Sequence, residues 1–302
     1  MGVLEDSMKV IRANVLGFCM GVRRAVDLAY AEAERAAGKV YTLGPLIHNP
    51  QVLEDLERRG VEILEQTSPG KNLNGVSVII RAHGISPQTE ADLRGYGAAL
   101  IDATCPKVKA SQLKAAALAK DGFRLFLAGE KSHAEITGIC RYAEAGAPRG
   151  EAFFCAVVGD AAEAQAAAAG LYGKEPLAKT ALIAQTTISA QEYQAIGGAI
   201  TRFFPDLEIA QTICAATTER QESLRELLDR VEGVIVAGGK ESANTRRLLA
   251  IADAAGKPCA LVQTPQDIPA VFFSLKAVGL AAGASTPDTV IDAIEQALEC
   301  GG

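Results

Sequence analysis

The junctions between strand-like and helix-like segments repeat three times in this chain, and that repeat leaves few possible architectures. In each copy an apolar segment leads to a cysteine, and an amphipathic helical pattern follows; the cysteines are Cys19, Cys105 and Cys214. A second strand then runs into a glycine, and a polar residue stands four positions later: Gly44 and His48, Gly129 and His133, Gly238 and Ser242. These polar residues follow the cysteines by 29, 28 and 28 residues, so the spacing indicates three copies of one unit.

A third junction ends each copy. Its strands, Val78–Ile80, Ala181–Ala184 and Val278–Ala282, lead to the short polar segments 81–84, 185–187 and 283–285. A helix start follows each segment, with Ser86, Ser189 and Thr286 as the predicted N-cap residues and proline at the first helical position in two of the three. Nine strand-to-helix junctions are therefore predicted.

Buried strands that alternate with amphipathic helices predict an α/β fold with parallel sheets covered on both faces. We expect three similar α/β units, at residues 1–100, 101–209 and 210–302, arranged around a pseudo-threefold axis and a central cavity. Ligands of open α/β sheets bind outside the carboxyl ends of the strands. The polar junctions are therefore expected to line that cavity.

Composition narrows the function classes. Of 302 residues, 49% are hydrophobic and 22% are charged, and the net charge is −6. An acidic chain without a Lys/Arg cluster argues against nucleic acid or a membrane surface as the main partner. No apolar run reaches the roughly 18 residues of a membrane span, and the acidic first seven residues do not resemble a secretory signal. We expect a cytoplasmic protein whose cysteines stay reduced.

Three of the seven cysteines are candidate metal ligands because they occupy the same junction of each repeat. No Cys-x-x-Cys occurs, so a site would be assembled by tertiary structure. Three thiolates predict a [4Fe–4S] cluster with one open iron, which can act as a Lewis acid; zinc held by three thiolates and a water is the competing interpretation. The surroundings of Cys140, Cys155 and Cys259 predict small buried apolar residues, and Cys300 an incidental thiol.

The chain has only three histidines, His48, His83 and His133, and all fall at the repeated junctions. Uncharged donors occupy the remaining junctions, namely Thr186, Ser242, Asn244 and Ser285. Such donors, together with helix N-termini, predict a phosphate or diphosphate site. Neither the Walker A nor the Gly-x-Gly-x-x-Gly pattern occurs, which disfavours a nucleotide.

Glu135 follows His133 by two residues. It is placed to serve as a proton donor in the cavity, or it is an ordinary first-turn glutamate that favours the helix dipole. The sequence leaves both interpretations open.

Taken in order, these junctions resemble the 4-hydroxy-3-methylbut-2-enyl diphosphate reductases, the last enzymes of the non-mevalonate isoprenoid pathway. The similarity covers nearly the whole chain, and the segments in this order make a specific signature. The segments are 17–22 (Gly-Phe-Cys-Met-Gly-Val), 44–49 (Gly-Pro-Leu-Ile-His-Asn), 81–84 (Arg-Ala-His-Gly), 102–106 (Asp-Ala-Thr-Cys-Pro), 133–135 (His-Ala-Glu), 185–187 (Gln-Thr-Thr), 212–214 (Thr-Ile-Cys), 242–244 (Ser-Ala-Asn) and 283–285 (Gly-Ala-Ser).

The resemblance implies a role for each candidate. The three cysteines would bind the cluster, Glu135 would deliver protons with Thr186 and His133, and Thr186 would hydrogen-bond the substrate hydroxyl, with Thr217 nearby. The diphosphate would be held by His48, His83, His133, Ser242, Asn244 and Ser285. The implied reaction is a two-electron, two-proton reductive loss of water, with electrons from a ferredoxin- or flavodoxin-type protein.

Two positions depart from the family pattern. Ala243 replaces a common second serine, so one hydrogen bond to the diphosphate would be missing, and Ala134 replaces a frequent proline. Two rival functions stay open: a quinolinate synthase-like dehydratase, which would recognise carboxylates, and a non-catalytic protein that binds phosphate or zinc.

Overall fold

The structure is a computed structural model that describes residues 8–65, 72–150, 153–173 and 179–301. These residues form twelve β-strands and ten α-helices, with two short 3₁₀ helices near residues 265–274. The strands are β1 Lys9–Arg12, β2 Val40–Leu43, β3 Val61–Leu64, β4 Ser77–Ile80, β5 Ala99–Asp102, β6 Arg124–Ala128, β7 Cys155–Val158, β8 Thr180–Ala184, β9 Glu208–Ile209, β10 Gly233–Ala237, β11 Cys259–Val262 and β12 Ala277–Ala282. The helices are α1 Met20–Arg35, α2 Pro50–Arg58, α3 Pro87–Gly95, α4 Pro106–Lys120, α5 Ala134–Gly146, α6 Ala161–Leu171, α7 Ala190–Thr201, α8 Ala215–Leu228, α9 Ala243–Ala254 and α10 Asp288–Cys300.

The strands form three four-stranded sheets, and every strand pair is parallel. The orders are β3-β2-β4-β5, β7-β6-β8-β9 and β11-β10-β12-β1. In the first two sheets, the second strand in chain order lies outside the first, and the third and fourth strands lie on the other side. The last sheet has the same order when β1 is counted as its fourth strand. This common order confirms the α/β class and the three similar units predicted from the junctions.

The first strand of the chain belongs to the last sheet. β1 pairs with β12, with Lys9 opposite Ala277 and Arg12 opposite Leu280, whereas the sequence assigned residues 1–100 to the first unit. β1 occupies the edge position that β5 and β9 occupy in the other two sheets. Strand order depends on hydrogen bonding across the sheet, which is why position along the chain did not reveal it.

Two apolar layers cover the sheet β7-β6-β8-β9. On β6, Phe126 and Ala128 contribute to one buried cluster, which includes residues of α6 and α7. Leu125 and Leu127 face the opposite side and pack with residues of α4 and α5. Successive side chains of a strand point to opposite faces, so an uninterrupted apolar strand requires cover on both sides. Two buried clusters likewise flank β10, one with α10 and the other with α8 and α9.

The predicted helix starts are confirmed at two of three places. The Ser86 hydroxyl accepts from the Thr89 N–H, and Ser189 forms a reciprocal capping box with Glu192. The third expectation is wrong, because Pro287 occupies the N-cap position of α10. The Thr286 hydroxyl instead donates to the Ala237 carbonyl at the end of β10, at 3.0 Å. A buried contact to the strand replaces the cap.

By internal contacts the chain divides into two compact units. The first unit combines the described residues up to Arg23 with Ile47–Glu54 and the chain from Ala215 onward; the second contains Arg24–Leu46 and Asp55–Cys214. The sheet with β10 lies in the first unit, and the other two sheets lie in the second. The boundaries near residues 100 and 210, the pseudo-threefold axis and the central cavity stay predictions.

Among the helices that the structure describes, none combines the length and the apolar character needed to cross a bilayer. The first seven residues, on which the expectation about a secretory signal depends, lie outside the described residues.

Candidate functional site

The three candidate ligand cysteines have the same backbone environment. Each one follows the edge strand at the same end of its sheet, which is β5, β9 or β1. Its N–H donates to the carbonyl of the residue two positions past the neighbouring strand, which is β4, β8 or β12. These bonds join Cys105 to Ala82 at 2.9 Å, Cys214 to Thr186 at 3.0 Å and Cys19 to Ala284 at 3.1 Å. The repeat inferred from spacing is therefore also present in the hydrogen bonds of each cysteine.

Each of these cysteines also stands directly before a helix. Cys105 is the N-cap residue of α4, with Pro106 at the first position as predicted. The Cys19 thiol accepts from the Val22 N–H in the first turn of α1 at 3.5 Å, and Cys214 precedes α8. None of the three belongs to a disulfide among the described residues, and all three are partly exposed. Sulfur donors of this kind suit zinc or an iron–sulfur cluster.

The other four cysteines are arranged differently. Cys140 and Cys155 pack beside the buried cluster of α4 and α5, and Cys259 packs beside the cluster of α8 and α9. All three are partly buried, not fully buried as predicted, and Cys300 is exposed. The sulfur atoms of Cys140 and Cys155 lie 3.7 Å apart, a contact that the sequence did not suggest. The neighbouring Cys140 thiol and burial raise the pKa of Cys155.

In the first of the two compact units, which contains β10, three polar loops meet near His48. The Ser285 hydroxyl donates to the His48 carbonyl at 3.3 Å. Gly239 lies against the same carbonyl, because a Cβ built there would be 2.4 Å from that oxygen. Only glycine allows this close approach, so Gly239, the second residue after β10, places its loop against the His48 loop.

Two further candidates lie at the start of α9. Ser242 is the N-cap residue, and its hydroxyl oxygen accepts from the Thr245 N–H at 3.3 Å, which leaves its own proton to donate elsewhere. Asn244 is 3% exposed, and neither of its amide atoms has a hydrogen-bond partner within the described structure. An unpaired buried polar group costs about 1–3 kcal/mol, which a bound polar ligand would offset. Thr217, on α8, is also buried.

In the second unit, Glu135 is buried at the start of α5, with 2% of its surface exposed. Its Oε1 accepts from the Thr186 N–H at 2.7 Å, and its Oε2 accepts from the Thr186 hydroxyl at 2.9 Å. The carboxylate is therefore fixed against the loop after β8. A glutamate that served only the helix dipole would not need this contact, so the geometry favours the proton-donor interpretation.

His133 is the N-cap residue of α5, and its Nδ1 accepts from the Glu135 N–H at 3.2 Å. In a neutral imidazole the other nitrogen then carries the proton, so Nε2 of His133 is a donor. The His83 ring lies edge-on to the His133 ring, with centroids 5.3 Å apart. Both histidines, Glu135 and Thr186 thus form one polar cluster at the carboxyl ends of strands.

Sequence reasoning missed two buried polar residues near the cysteine loops. Arg220 is 4% exposed and donates to the Gly17 carbonyl at 2.7 Å, which fixes the loop before Cys19. Its signal was present, because Arg220 stands on the apolar stripe of α8 four residues before Leu224. Gln185 Oε1 accepts from the Glu130 N–H at 2.9 Å and fixes the loop after β6, but a single glutamine carries no comparable signal.

The predicted site residues thus form two groups. His48, Ser242, Asn244 and Ser285 lie in the first unit with Cys19, while His83, His133, Glu135, Thr186, Cys105 and Cys214 lie in the second. Ala243 is 3% exposed and brings no hydroxyl to the start of α9. The assembly of both groups and the three thiols into one site stays a prediction.

Comparison with known proteins gives a consistent result. The family model described as LytB protein matches residues 10–299. The 4-hydroxy-3-methylbut-2-enyl diphosphate reductase of Treponema denticola is 43% identical, over 96% of this chain and 99% of that protein. The protein of the same name from Aquifex aeolicus is 37% identical, over 96% of each chain.

Two solved structures are also similar. The E-1-hydroxy-2-methyl-but-2-enyl-4-diphosphate reductase from Plasmodium falciparum has a TM-score of 0.86 and 25% identity, over 96% of this chain and 87% of that chain. A second structure, of (E)-4-hydroxy-3-methyl-but-2-enyl diphosphate reductase, the terminal enzyme of the non-mevalonate pathway, has a TM-score of 0.69 and 36% identity, over 97% of this chain and 99% of that chain. The family model matches residues 10–299 of this chain, and the two relatives are 43% and 37% identical to it over 96% of its length. This chain therefore belongs to the LytB protein family.

Proposed function

We propose that this protein reduces 4-hydroxy-3-methylbut-2-enyl diphosphate to a mixture of isopentenyl and dimethylallyl diphosphates. The substrate takes up two electrons and two protons, its allylic C–O bond breaks, and the oxygen leaves as water. The relatives named 4-hydroxy-3-methylbut-2-enyl diphosphate reductase match nearly the whole chain. The observation on which the proposal depends most is the buried Glu135 carboxylate, held by two hydrogen bonds from Thr186.

An iron–sulfur cofactor fits the cysteines of this chain. Cys19, Cys105 and Cys214 lie in equivalent backbone positions and belong to no disulfide of the described structure, and we assign them as ligands of a [4Fe–4S] cluster with one iron left open. When bound, such a cluster supplies single electrons and a Lewis-acidic iron for the substrate oxygen. The electrons would come from a one-electron carrier protein of the ferredoxin or flavodoxin type, and the reaction would take place in the cytoplasm.

The diphosphate is assigned to His48, His83, His133, Ser242, Asn244 and Ser285. The unpaired Asn244 amide supports this assignment, because a phosphate oxygen would accept from its Nδ2. The Nε2 of His133 and the free proton of Ser242 are further donors. The N-termini of α5 and α9 add favourable electrostatics for an anion. An acidic protein can hold a diphosphate in this way without a general positive field.

Proton delivery follows from the Glu135 and Thr186 contact. With Glu135 ionised, the Thr186 hydroxyl donates to Oε2 and its lone pairs accept from the substrate hydroxyl. With Glu135 protonated, the chain of hydrogen bonds reverses: Oε2 donates to Thr186 Oγ1, and Thr186 donates to the departing oxygen. Protonation makes that oxygen a better leaving group, and a pre-positioned acid typically contributes a factor of about 10² to 10⁴ in rate.

Anaerobic purification followed by metal, sulfide and turnover measurements tests the proposal. We expect a coloured protein that contains iron and acid-labile sulfide, a spectrum that changes when the diphosphate substrate is added, and two C5 diphosphate products with a strong reductant. A colourless protein with zinc and neither iron nor sulfide would support the non-catalytic alternative. Reconstituted protein that produces neither isomer would refute the reductase assignment.

A further inference from the structure

A cavity of about 410 Å³ lies within the second of the two compact units, Arg24–Leu46 and Asp55–Cys214. Its lining does not include the site residues assigned above. It lies at the carboxyl ends of β2 and β4, where Leu43, Gly44 and Arg81 line it. Adjacent first and third strands are the point where strand order reverses, and open α/β sheets bind ligands there. The cavity therefore occupies a position suited to a ligand of its own.

One face of α5 forms another part of the cavity wall. Ala134, Thr137, Gly138 and Arg141 follow one another at i, i+3, i+4 and i+7, so they share a side of the helix. Glu135 is not on this wall. The same helix thus carries the proposed proton donor and, separately, one side of the cavity.

Arg81 is the unusual residue of this cavity. Its guanidinium lies over Gly44, where a Cβ would be 2.9 Å from Nη1, and its buried Nε has no hydrogen-bond partner among the described residues. Burial lowers the pKa of the Arg81 guanidinium, and no carboxylate of the described chain opposes this effect. A partly buried cation without a counter-ion is unfavourable unless an anion binds to it.

The other charged lining residues do not neutralise Arg81. Glu65 is exposed and forms no ion pair with Arg81 in the described structure. Arg141 pairs with Glu144 at 2.7 Å, both of them exposed. The cation of this cavity that lacks a partner is therefore the partly buried one.

Two further lining residues are glycines with a buried amide directly behind them. A Cβ on Gly84 or Gly138 would come within 2.5 or 2.9 Å of the Gln112 Nε2. Gln112 is fully buried, and both of its amide atoms lack a partner in the described structure. The glycines thus keep a second unsatisfied polar group close to the cavity wall.

We propose that this cavity is a second anion site, which binds a small organic molecule through a phosphate or carboxylate group placed against the Arg81 guanidinium. The planar guanidinium forms two parallel hydrogen bonds with either group. Leu43, Ile85 and Ala134 supply apolar walls for a short hydrocarbon part. The site is independent of the proposed reductase activity, because it uses none of the residues assigned to that activity.

Binding can be tested with inorganic phosphate, acetate and propyl phosphate, each titrated separately by calorimetry and by thermal unfolding. We expect saturable binding of a phosphate or carboxylate probe, with propyl phosphate tighter than inorganic phosphate because of the apolar walls. Arg81→Gln is expected to weaken this binding by about tenfold to a hundredfold, as expected for loss of a charge-assisted pair. The exposed Arg202→Gln variant is the matched control and should bind as the wild type does.

Ser242→Ala separates this site from the proposed diphosphate site, because it should weaken only the latter. Two results would overturn the proposal. One is that wild type and Arg81→Gln bind the probes equally; the other is that Ser242→Ala abolishes all probe binding seen in the wild type. Should Arg81→Gln fail to fold, hydrogen exchange of the wild type decides: the bound probe should protect peptides that cover residues 81–89 and 134–141. Unchanged exchange there would also overturn it.

Discussion

Replacing Glu135 with glutamine separates a proton donor from a structural glutamate. The carboxylate accepts two hydrogen bonds from Thr186, at 2.7 and 2.9 Å, while 2% exposed. Glutamine keeps the shape: its amide oxygen can accept from the Thr186 N–H, and its NH₂ can donate to the Thr186 hydroxyl. Charged hydrogen bonds contribute about 1.5–3 kcal/mol and neutral ones about 0.5–1.5 kcal/mol, so the free energy of unfolding should fall by about 1–3 kcal/mol.

Turnover should fall much further, by about a hundredfold or more, because an amide cannot deliver the proton. The assay is anaerobic steady-state reduction of the diphosphate substrate, with iron and sulfide content and substrate affinity measured on the same samples. Glu144→Gln, an exposed carboxylate on the same helix, is the control and should retain full activity. Unchanged turnover in Glu135→Gln would remove Glu135 from the mechanism, and loss of cluster would show a structural role instead.

Three further predictions follow from other contacts. Cys105→Ser should lose iron and sulfide while Cys140→Ser retains both, as measured by metal analysis; cluster retained in the first variant would refute the ligand assignment. Burial raises the pKa of Glu32, but hydrogen bonds from Ser77 and Arg35 outweigh it and hold that pKa below its ordinary value of 4.5. A lowered carboxyl pKa stabilises the fold above pH 4.5, so wild type should exceed Glu32→Gln in unfolding free energy at pH 7, and the gap should shrink as pH falls below 4.5; a gap that stays constant would contradict this. Tyr193→Phe removes a buried hydroxyl that lies 2.8 and 2.7 Å from the Leu182 and Ala210 carbonyls and shares its one proton between them, and should cost about 1–3 kcal/mol in denaturant unfolding; a loss near zero would mean that water replaces it.

Much of the fold was predictable because buried parallel strands are short apolar runs that end at turn residues. The predicted start of β6 was Leu125, and the strand begins at Arg124. The cysteine positions followed from the same regularity, because a repeated junction reports a repeated backbone environment.

What the sequence could not supply depends on tertiary contacts. The partner of Thr286 is a carbonyl 49 residues away, so its local resemblance to an N-cap was misleading. The unpaired state of the Gln112 and Arg81 side chains is likewise a property of the packed structure. Asn244 was chosen from its junction, but only the packed structure revealed that its amide has no partner.

The placement of β1 beside β12 pairs two segments that lie far apart along the sequence, with Lys9 opposite Ala277. During synthesis, β1 must wait until β12 has been made before its neighbour exists, so that sheet is completed after the other two. Deleting either β1 or β12 should therefore damage the same sheet. New termini placed at an exposed turn, with the old ends joined by a linker, would let β1 be made directly after β12, as β5 and β9 already are after β4 and β8.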